Sequence, residues 1–346
     1  MKVLKIIGKF FSFVGVFLLV LLVTVYSMGL IFCYGPSTHA RNLFVTTLLE
    51  TGQMKFVVNL FMSKDKIKEV VDSNSMKSLD TEIDDDLIKI DDKIDKDGIE
   101  LKEVSGSTYY AKMIIVNDPS RVKLASIYDG SWKEYGVTLD KLVNDANAFA
   151  GVNGGLYFSS GNKGGKPMGL VVKDGKIEYN NPSGIRGMYL IGFNEDNLLK
   201  IIDLDGKNKD QVEKVIKDEK IRDAVAFQEE ASDANNHFVK LIINGEKREV
   251  KGGGSGANPR TAIGQRKDGS VILLVTDGRG ANGHLGATAS DLIELMAEYG
   301  AVNAANIDGG SSSSMFYDGK YEMTSVTLYY SNSSWRLPTG FIVEKR

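Results

Sequence analysis

Residues 10–32, FFSFVGVFLLVLLVTVYSMGLIF, run for 23 positions without a charge. At 1.5 Å per residue, a helix of that length crosses a hydrocarbon layer of about 30 Å. Lys2, Lys5 and Lys9 come before it, so the positive-inside rule holds the N-terminus in the cytoplasm and sends the rest of the chain outside. A cleaved signal peptide would have an apolar region of about 7–15 residues followed by a small-x-small cleavage site. The longer run without such a site reads as an uncleaved, single-pass anchor in the cell membrane. Cys33 follows a bulky Phe32, where lipid attachment would need a small residue. As the sole cysteine it cannot form an internal disulfide, so the exported part must be held by its core alone.

The remainder divides by texture. Residues 1–9 are a cytoplasmic tail and residues 33–98 a stalk and acidic linker. The stalk has helical stretches without a steady period and could pack on the membrane face or on a partner. Residues 80–97, DTEIDDDLIKIDDKIDKD, read as a solvated linker. The KIDKDG stretch fails the EF-hand template, because Lys93 stands where the first ligand should be and no Glu closes the loop. A net charge of −3 gives no basic surface for nucleic acid.

From residue 99 to 346, short apolar runs alternate with Gly, Asn and Asp: YYAKMIIV, VKLASIY, GLVVK, YLIGF, KLIING and VILLVT all predict strands. Two helices are expected, Asp210 to Ile221 and Thr288 to Tyr299. The second has a Thr288/Asp291 capping box, a stripe of Leu292, Leu295, Met296 and Tyr299, and Gly300 to end it. The expected fold is α/β mixed (α+β): one strand-rich catalytic domain with a mixed sheet and a few helices.

Several motifs drop out. GGGSGA (252–257) leads into Asn258-Pro259 and not into a helix, so it is a loop and no dinucleotide site. GNKGGKP (161–167) lacks P-loop spacing. The three histidines lie far apart in sequence and no G-x-S-x-G elbow occurs, which argues against zinc and against a Ser-His nucleophile.

What remains is a strand-helix-strand unit. Val271 to Thr276 ends in Asp277-Gly278-Arg279, a helix follows, and Val302 to Ile307 ends in Asp308-Gly309-Gly310. Parallel strands would bring both acids to one sheet edge, where ligands of open α/β sheets collect; either acid alone could merely cap a turn. Arg260, fixed by Pro259 before an apolar TAIG, and Arg279 suit an anionic substrate. An internal Arg–Asp salt bridge is the equal alternative. GVNGGLYF (151–158) adds Asn153 as donor and acceptor, with Tyr157 and Phe158 as sugar platforms, or else a turn and core.

These motifs, GVNGGLYF, NPRTAIGQRKDGSVILLVTDGR, GATASDLIELMAEYGAVNAANIDGGSSSSMFYDG and RLPTGFIV, resemble in order the phosphodiester glycosidase family, which includes the lysosomal uncovering enzyme. Its bacterial relatives carry exopolysaccharide biosynthesis labels. The resemblance covers residues 100–346 and is strongest over 256–319.

It implies a hydrolase that cleaves a sugar, N-acetylglucosamine in the animal enzyme, from a sugar-1-phosphodiester. Asn153, Arg260, Asp277, Arg279, Asp308, Gly309 and Gly310 sit at matching motif positions. Asp277 and Asp308 are the catalytic candidates. Gly154, Thr261, Ser311 and Ser312 join the others as substrate-binding candidates. Animal members read DGGGSS, so Ser311 replaces a glycine and the sugar does not transfer.

A phosphate monoester leaves readily, so less general acid is needed than in ordinary glycosidases. Arg260 and Arg279 are expected to bind phosphate, with one aspartate as base or nucleophile and the other positioning the sugar or a cation. No cofactor is assigned and a divalent cation stays open. The expected partners are a glycan or glycosyl-phosphate in the envelope or an exopolysaccharide, the membrane through residues 10–32, and envelope-assembly proteins, with no nucleic acid. The rival is an anchored, non-catalytic module for anionic wall or capsule polymers.

Overall fold

The computed structural model describes residues 2–51, 54–90, 94–231, 236–326 and 332–346. Helix α1 (Lys2–Tyr34) contains an apolar span long enough to cross a membrane, and most of its side chains are uncovered by the rest of the chain. Helices α2 (Thr38–Glu50), α3 (Lys55–Phe61) and α4 (Lys64–Asp72) follow. Ser37 and Ser63 cap α2 and α4 by accepting from Ala40 and Lys66 N–H groups. Cys33, Val45, Leu49, Val58, Met62, Ile67 and Val70 form a small core among these helices. The predicted stalk is therefore a packed helical base.

The segment predicted as a solvated linker lies on the domain. Leu79 and Ile88 are buried, Lys240 Nζ donates to the Leu79 carbonyl at 2.7 Å, and Asp85 pairs with Lys200 at 2.7 Å. Its acidic count concealed two apolar residues, Ile83 and Ile88, that pack inward beside Leu79, which precedes it. Residues 91–93 of that segment lie outside the described residues.

Among the described residues, three larger sheets make the domain. The first has seven strands in the order Ile99–Ser105, Tyr110–Val116, Val271–Thr276, Thr261–Arg266, Ala301–Ile307, Lys240–Ile243 and Glu246–Lys247. The second has five: Lys320–Met323, Met315–Tyr317, Ala148–Asn153, Thr339–Glu344 and Val122–Ser126. The third also has five: Lys176–Asn181, Gly169–Lys173, Ile221–Gln228, Met188–Asn194 and Leu199–Asp203. Neighbouring strands in these sheets pair antiparallel.

Alternation along each strand separates two faces. Ile114 and Val116 join Leu124, Val152, Val225, Phe193, Leu273, Ile307 and Phe341 in a core shared by the three sheets. Met113 and Ile115 face the other way, with Ile272 and Leu274. One helix covers each outer face: α5 (Leu139–Asp145) the second sheet, α6 (Lys209–Asp218) the third and α7 (Ala289–Glu298) the first.

Both predicted helices exist. Thr288 and Asp291 form the reciprocal cap of α7, and Gly300 takes φ 82° just beyond its end. α6 is displaced from the expected span: Asn208 and Gln211 form its capping box, and it stops at Asp218. Ile221 instead opens a strand and is buried.

Candidate active site

The strands ahead of Asp277 and Asp308 both pair antiparallel with Thr261–Arg266, on either side of it: Thr261 faces Val275 on one flank and Ile307 on the other. Two strands each antiparallel to a common neighbour are parallel to one another. Both acids thus emerge at the edge where Arg260 and Thr261 start the middle strand.

Asp277 is buried, and both its oxygens are used. Oδ1 accepts from the Tyr110 N–H at 2.7 Å, and Oδ2 lies 2.6 Å from His284 Nδ1. A carboxylate at Nδ1 holds the neutral ring with its proton there, leaving the lone pair on Nε2. The loop between them turns tightly back: Arg279 (φ 53°), Gly280 (φ 88°) and Gly283 (φ 83°) are left-handed, and Gly280 N–H donates to the His284 carbonyl at 2.7 Å. The spacing between histidines carries no sign of His284, whose partner is an aspartate seven residues upstream.

Burial raises the Asp308 carboxyl to about 7, against the lowering pull of the Ser312 hydroxyl, the Gly309 N–H and the Arg279 charge. Two carboxylates on one edge therefore differ in setting: one is locked to an imidazole and the other titrates near neutrality. Such separated environments are how acid and base roles are divided.

The serine run is a folded loop. Asn153 Nδ2 donates to the Asp308 carbonyl at 2.6 Å, and Asn153 Oδ1 accepts from Thr261 Oγ1 at 2.8 Å and Ser314 N–H at 3.2 Å. Ser312 Oγ donates to the Tyr157 hydroxyl at 3.0 Å. Tyr157 is buried beneath the loop and is no exposed sugar platform; Phe158 is exposed. Gly309 passes the Pro259 carbonyl so closely that a Cβ would meet it at 3.0 Å. Gly310 N–H donates to that same carbonyl at 2.8 Å. At φ 62°, Gly310 has Arg279 Nη2 only 2.7 Å from where its Cβ would be. Gly154 packs against Thr339 of the neighbouring strand, accounting for that glycine by backbone approach.

The two arginines differ. Arg279 Nη1 donates to Ser311 Oγ at 2.7 Å at the exposed mouth. Arg260 is buried: its Nη2 lies 2.7 Å from Glu50 Oε2 and donates to the Gly256 carbonyl at 2.8 Å, and its guanidinium sits 5.0 Å over the Phe238 ring. Arg260 does form an internal salt bridge, but to a glutamate of α2 and not to the aspartate that the sequence suggested. Nothing local could have revealed Glu50, which is 210 positions away. Burial pushes His237 down to about 4. The Arg260 charge presses the same way, Glu230 opposes it, and Lys55 adds a smaller push downward. Among the described residues, no three His, Cys, Asp or Glu side chains gather where they could hold a metal ion.

The phosphodiester glycosidase family model matches residues 146–344. The SPbeta prophage-derived protein YomE of Bacillus subtilis strain 168 is 30% identical over 159 residues, which is 45% of this chain and 23% of that protein. The chain thus matches about a quarter of that relative's length. Among solved structures, the fold matches the catalytic domain of zebrafish N-acetylglucosamine-1-phosphodiester alpha-N-acetylglucosaminidase, auto-inhibited by its pro-peptide. That match has TM-score 0.52 and 19% identity over 72% of this chain and 83% of that one. The family model spans the strand carrying Asn153, the Asp277 loop and the Asp308 loop, and the chain belongs to the phosphodiester glycosidase family, hydrolases that act on sugar phosphodiesters.

Proposed function

We propose that this chain is a membrane-anchored hydrolase with its catalytic domain outside the cytoplasmic membrane, releasing a sugar from a sugar-1-phosphodiester in an envelope or exopolysaccharide glycan. An N-acetylglucosamine-type sugar is the first candidate, from the name of the zebrafish relative. The observation that carries the mechanism is the Asp277–His284 contact of 2.6 Å on the edge that bears Asp308.

His284 Nε2 takes a proton from water as the oxygen attacks the sugar C1. The bond between C1 and the phosphate oxygen breaks, and the phosphate monoester leaves with the electron pair. Asp277 is a positioning residue that fixes the imidazole and stabilises it once charged. Protonated Asp308 can donate to the departing oxygen, and Arg279 can fork onto the non-bridging phosphate oxygens. Arg260, neutralised by Glu50, shapes the backbone of the site, which moves the phosphate-binding role to Arg279.

The test is to incubate the full chain in detergent with a panel of sugar-1-phosphodiesters and measure reducing sugar. Wild-type release that is lost in His284→Ala supports the reading. Undiminished release by His284→Ala overturns the role of His284, and no release from any member by wild type overturns the hydrolase reading.

A further inference from the structure

The site stands on the helical base, and the base is built against α1. The Phe61 ring at the end of α3 lies 5.3 Å from the Tyr26 ring and fills the space a side chain at Gly29 would occupy. The Phe61 carbonyl accepts from the Tyr34 hydroxyl at 2.8 Å. Tyr26 and Gly29 belong to the uncharged run, so α3 ends level with the outer part of the apolar span. Phe56 and Leu60, four apart and on one face of α3, are 59% and 65% exposed, and Met54 beside them is exposed too. This stripe continues the uncovered apolar surface of α1. That continuity selects lipid as its occupant, as for helices lying in a membrane interface.

The same base forms one edge of the site. Besides Arg260, Glu50 accepts from the Gly256 N–H at 2.7 Å. Thr47 Oγ1 accepts from the Ala257 N–H at 3.0 Å, and Asn74 Oδ1, beyond α4, accepts from the Gly253 N–H at 3.2 Å. Gly256 is pressed on α2 so closely that a Cβ would meet Thr46 and Thr47 backbone atoms at 2.6 Å. The loop leading into Arg260 and Thr261 is clamped and cannot swing away. α3 is seven residues long, so its ends lie about 9 Å apart. Its first residue, Lys55, follows by five positions the Glu50 that holds Arg260 at 2.7 Å. The pocket edge is therefore tied, through Glu50, to the start of α3, while the other end of α3 meets α1 through Phe61. Leu285, in the loop that carries His284, is also exposed.

A phosphodiester has two ester arms. With the sugar against His284 and the phosphate at Arg279, the other arm leaves from a site tied through Glu50 and α3 to the helix that carries the apolar span. A soluble aglycone would gain nothing from that placement. A hydrocarbon aglycone could stay in the bilayer while its head group entered the pocket. Resting on the hydrolase reading above, we propose that the substrate is a glycosyl phosphodiester of a membrane lipid, drawn from the bilayer that holds α1. Water adds at C1, the bond from C1 to oxygen breaks, the free sugar departs, and the phosphate monoester remains on the lipid.

The test uses the full chain in vesicles of phosphatidylethanolamine and phosphatidylglycerol. Each sugar of the panel is supplied as a pair, its 1-phosphodiester with a long isoprenoid alcohol and with methanol. The expected result is lipid-linked turnover at least about tenfold above the methyl ester, as co-confinement raises effective concentration. The Phe56→Glu, Leu60→Glu double variant should lose most of that preference and keep its methyl-ester rate. Equal or faster cleavage of the methyl ester, or a double variant that keeps the full lipid preference, overturns the proposal and leaves the hydrolase reading standing. Failure of wild type on every pair overturns both.

Discussion

Glu50 Oε2 and Arg260 Nη2 meet at 2.7 Å with both side chains buried, joining the helical base to the strand at the centre of the candidate site. An arginine that reads in sequence as a phosphate ligand is satisfied from within. Removing one member of such a buried pair leaves the other charge uncompensated. Glu50→Ala should therefore lower unfolding stability by about 3–5 kcal/mol, measured by thermal or urea unfolding in detergent. Glu50→Leu combined with Arg260→Met should recover most of it. A loss in the single variant below about 1 kcal/mol, the range of exposed pairs, would mean that water reaches the contact.

Asp277 and His284 should behave as a unit. Asp277→Asn and His284→Ala should each lower kcat by about 10²–10⁴, the range of general acid-base catalysis. The double variant should fall little further than either single one, because groups that act together are not additive. Full multiplication of the two effects in steady-state kinetics would separate their roles.

Asp308 predicts a pH dependence. With its carboxyl raised by burial to about 7, the protonated form that donates to the leaving oxygen declines as pH climbs through 7. Activity should fall on that side, and Asp308→Asn should abolish the limb along with most turnover. The folded-state value lies above the unfolded one, so this group's stabilising share is complete below about 4. It is lost as pH rises through about 7. The melting temperature of Asp308→Asn should accordingly gain on wild type between pH 5 and pH 8. An unchanged difference over that range would show that Asp308 is ionised throughout.

Arg279 lies at the exposed mouth, bonded to Ser311. Arg279→Ala should cost about 10²-fold in kcat/KM, of the order of a charge-assisted hydrogen bond and more, with stability within about 0.5 kcal/mol of wild type. Arg279→Lys should restore only part, because an ammonium cannot fork. A variant that loses stability in place of activity would assign Arg279 a structural role.

Gly256 offers a separate check on the clamp. A methyl group there would meet Thr46 and Thr47 at 2.6 Å, so Gly256→Ala should cost about 1–3 kcal/mol by overpacking. Release of α2 should raise hydrogen exchange in residues 38–50. Protection equal to wild type would show that the base docks without this contact.

The sequence by itself determined what depends on near neighbours. The uncharged run sets α1, the Thr288/Asp291 pair starts α7, and short apolar runs bounded by Gly, Asn and Asp set the central strands, because helix caps and strand ends are decided within a few residues. The Asp-Gly turns after Val271–Thr276 and Ala301–Ile307 were legible for the same reason. Tertiary structure decided what depends on distance in the chain. Insertion of Thr261–Arg266 between those strands brought their acids to one edge, and a tight loop returned His284 to Asp277. Leu79 and Ile88 found buried places that their acidic neighbours had masked. Glu50 reached Arg260 only because α2 packs on the Gly256 backbone, and burial, which no local pattern encodes, turned that arginine from a ligand candidate into a structural pair and raised Asp308 toward neutrality.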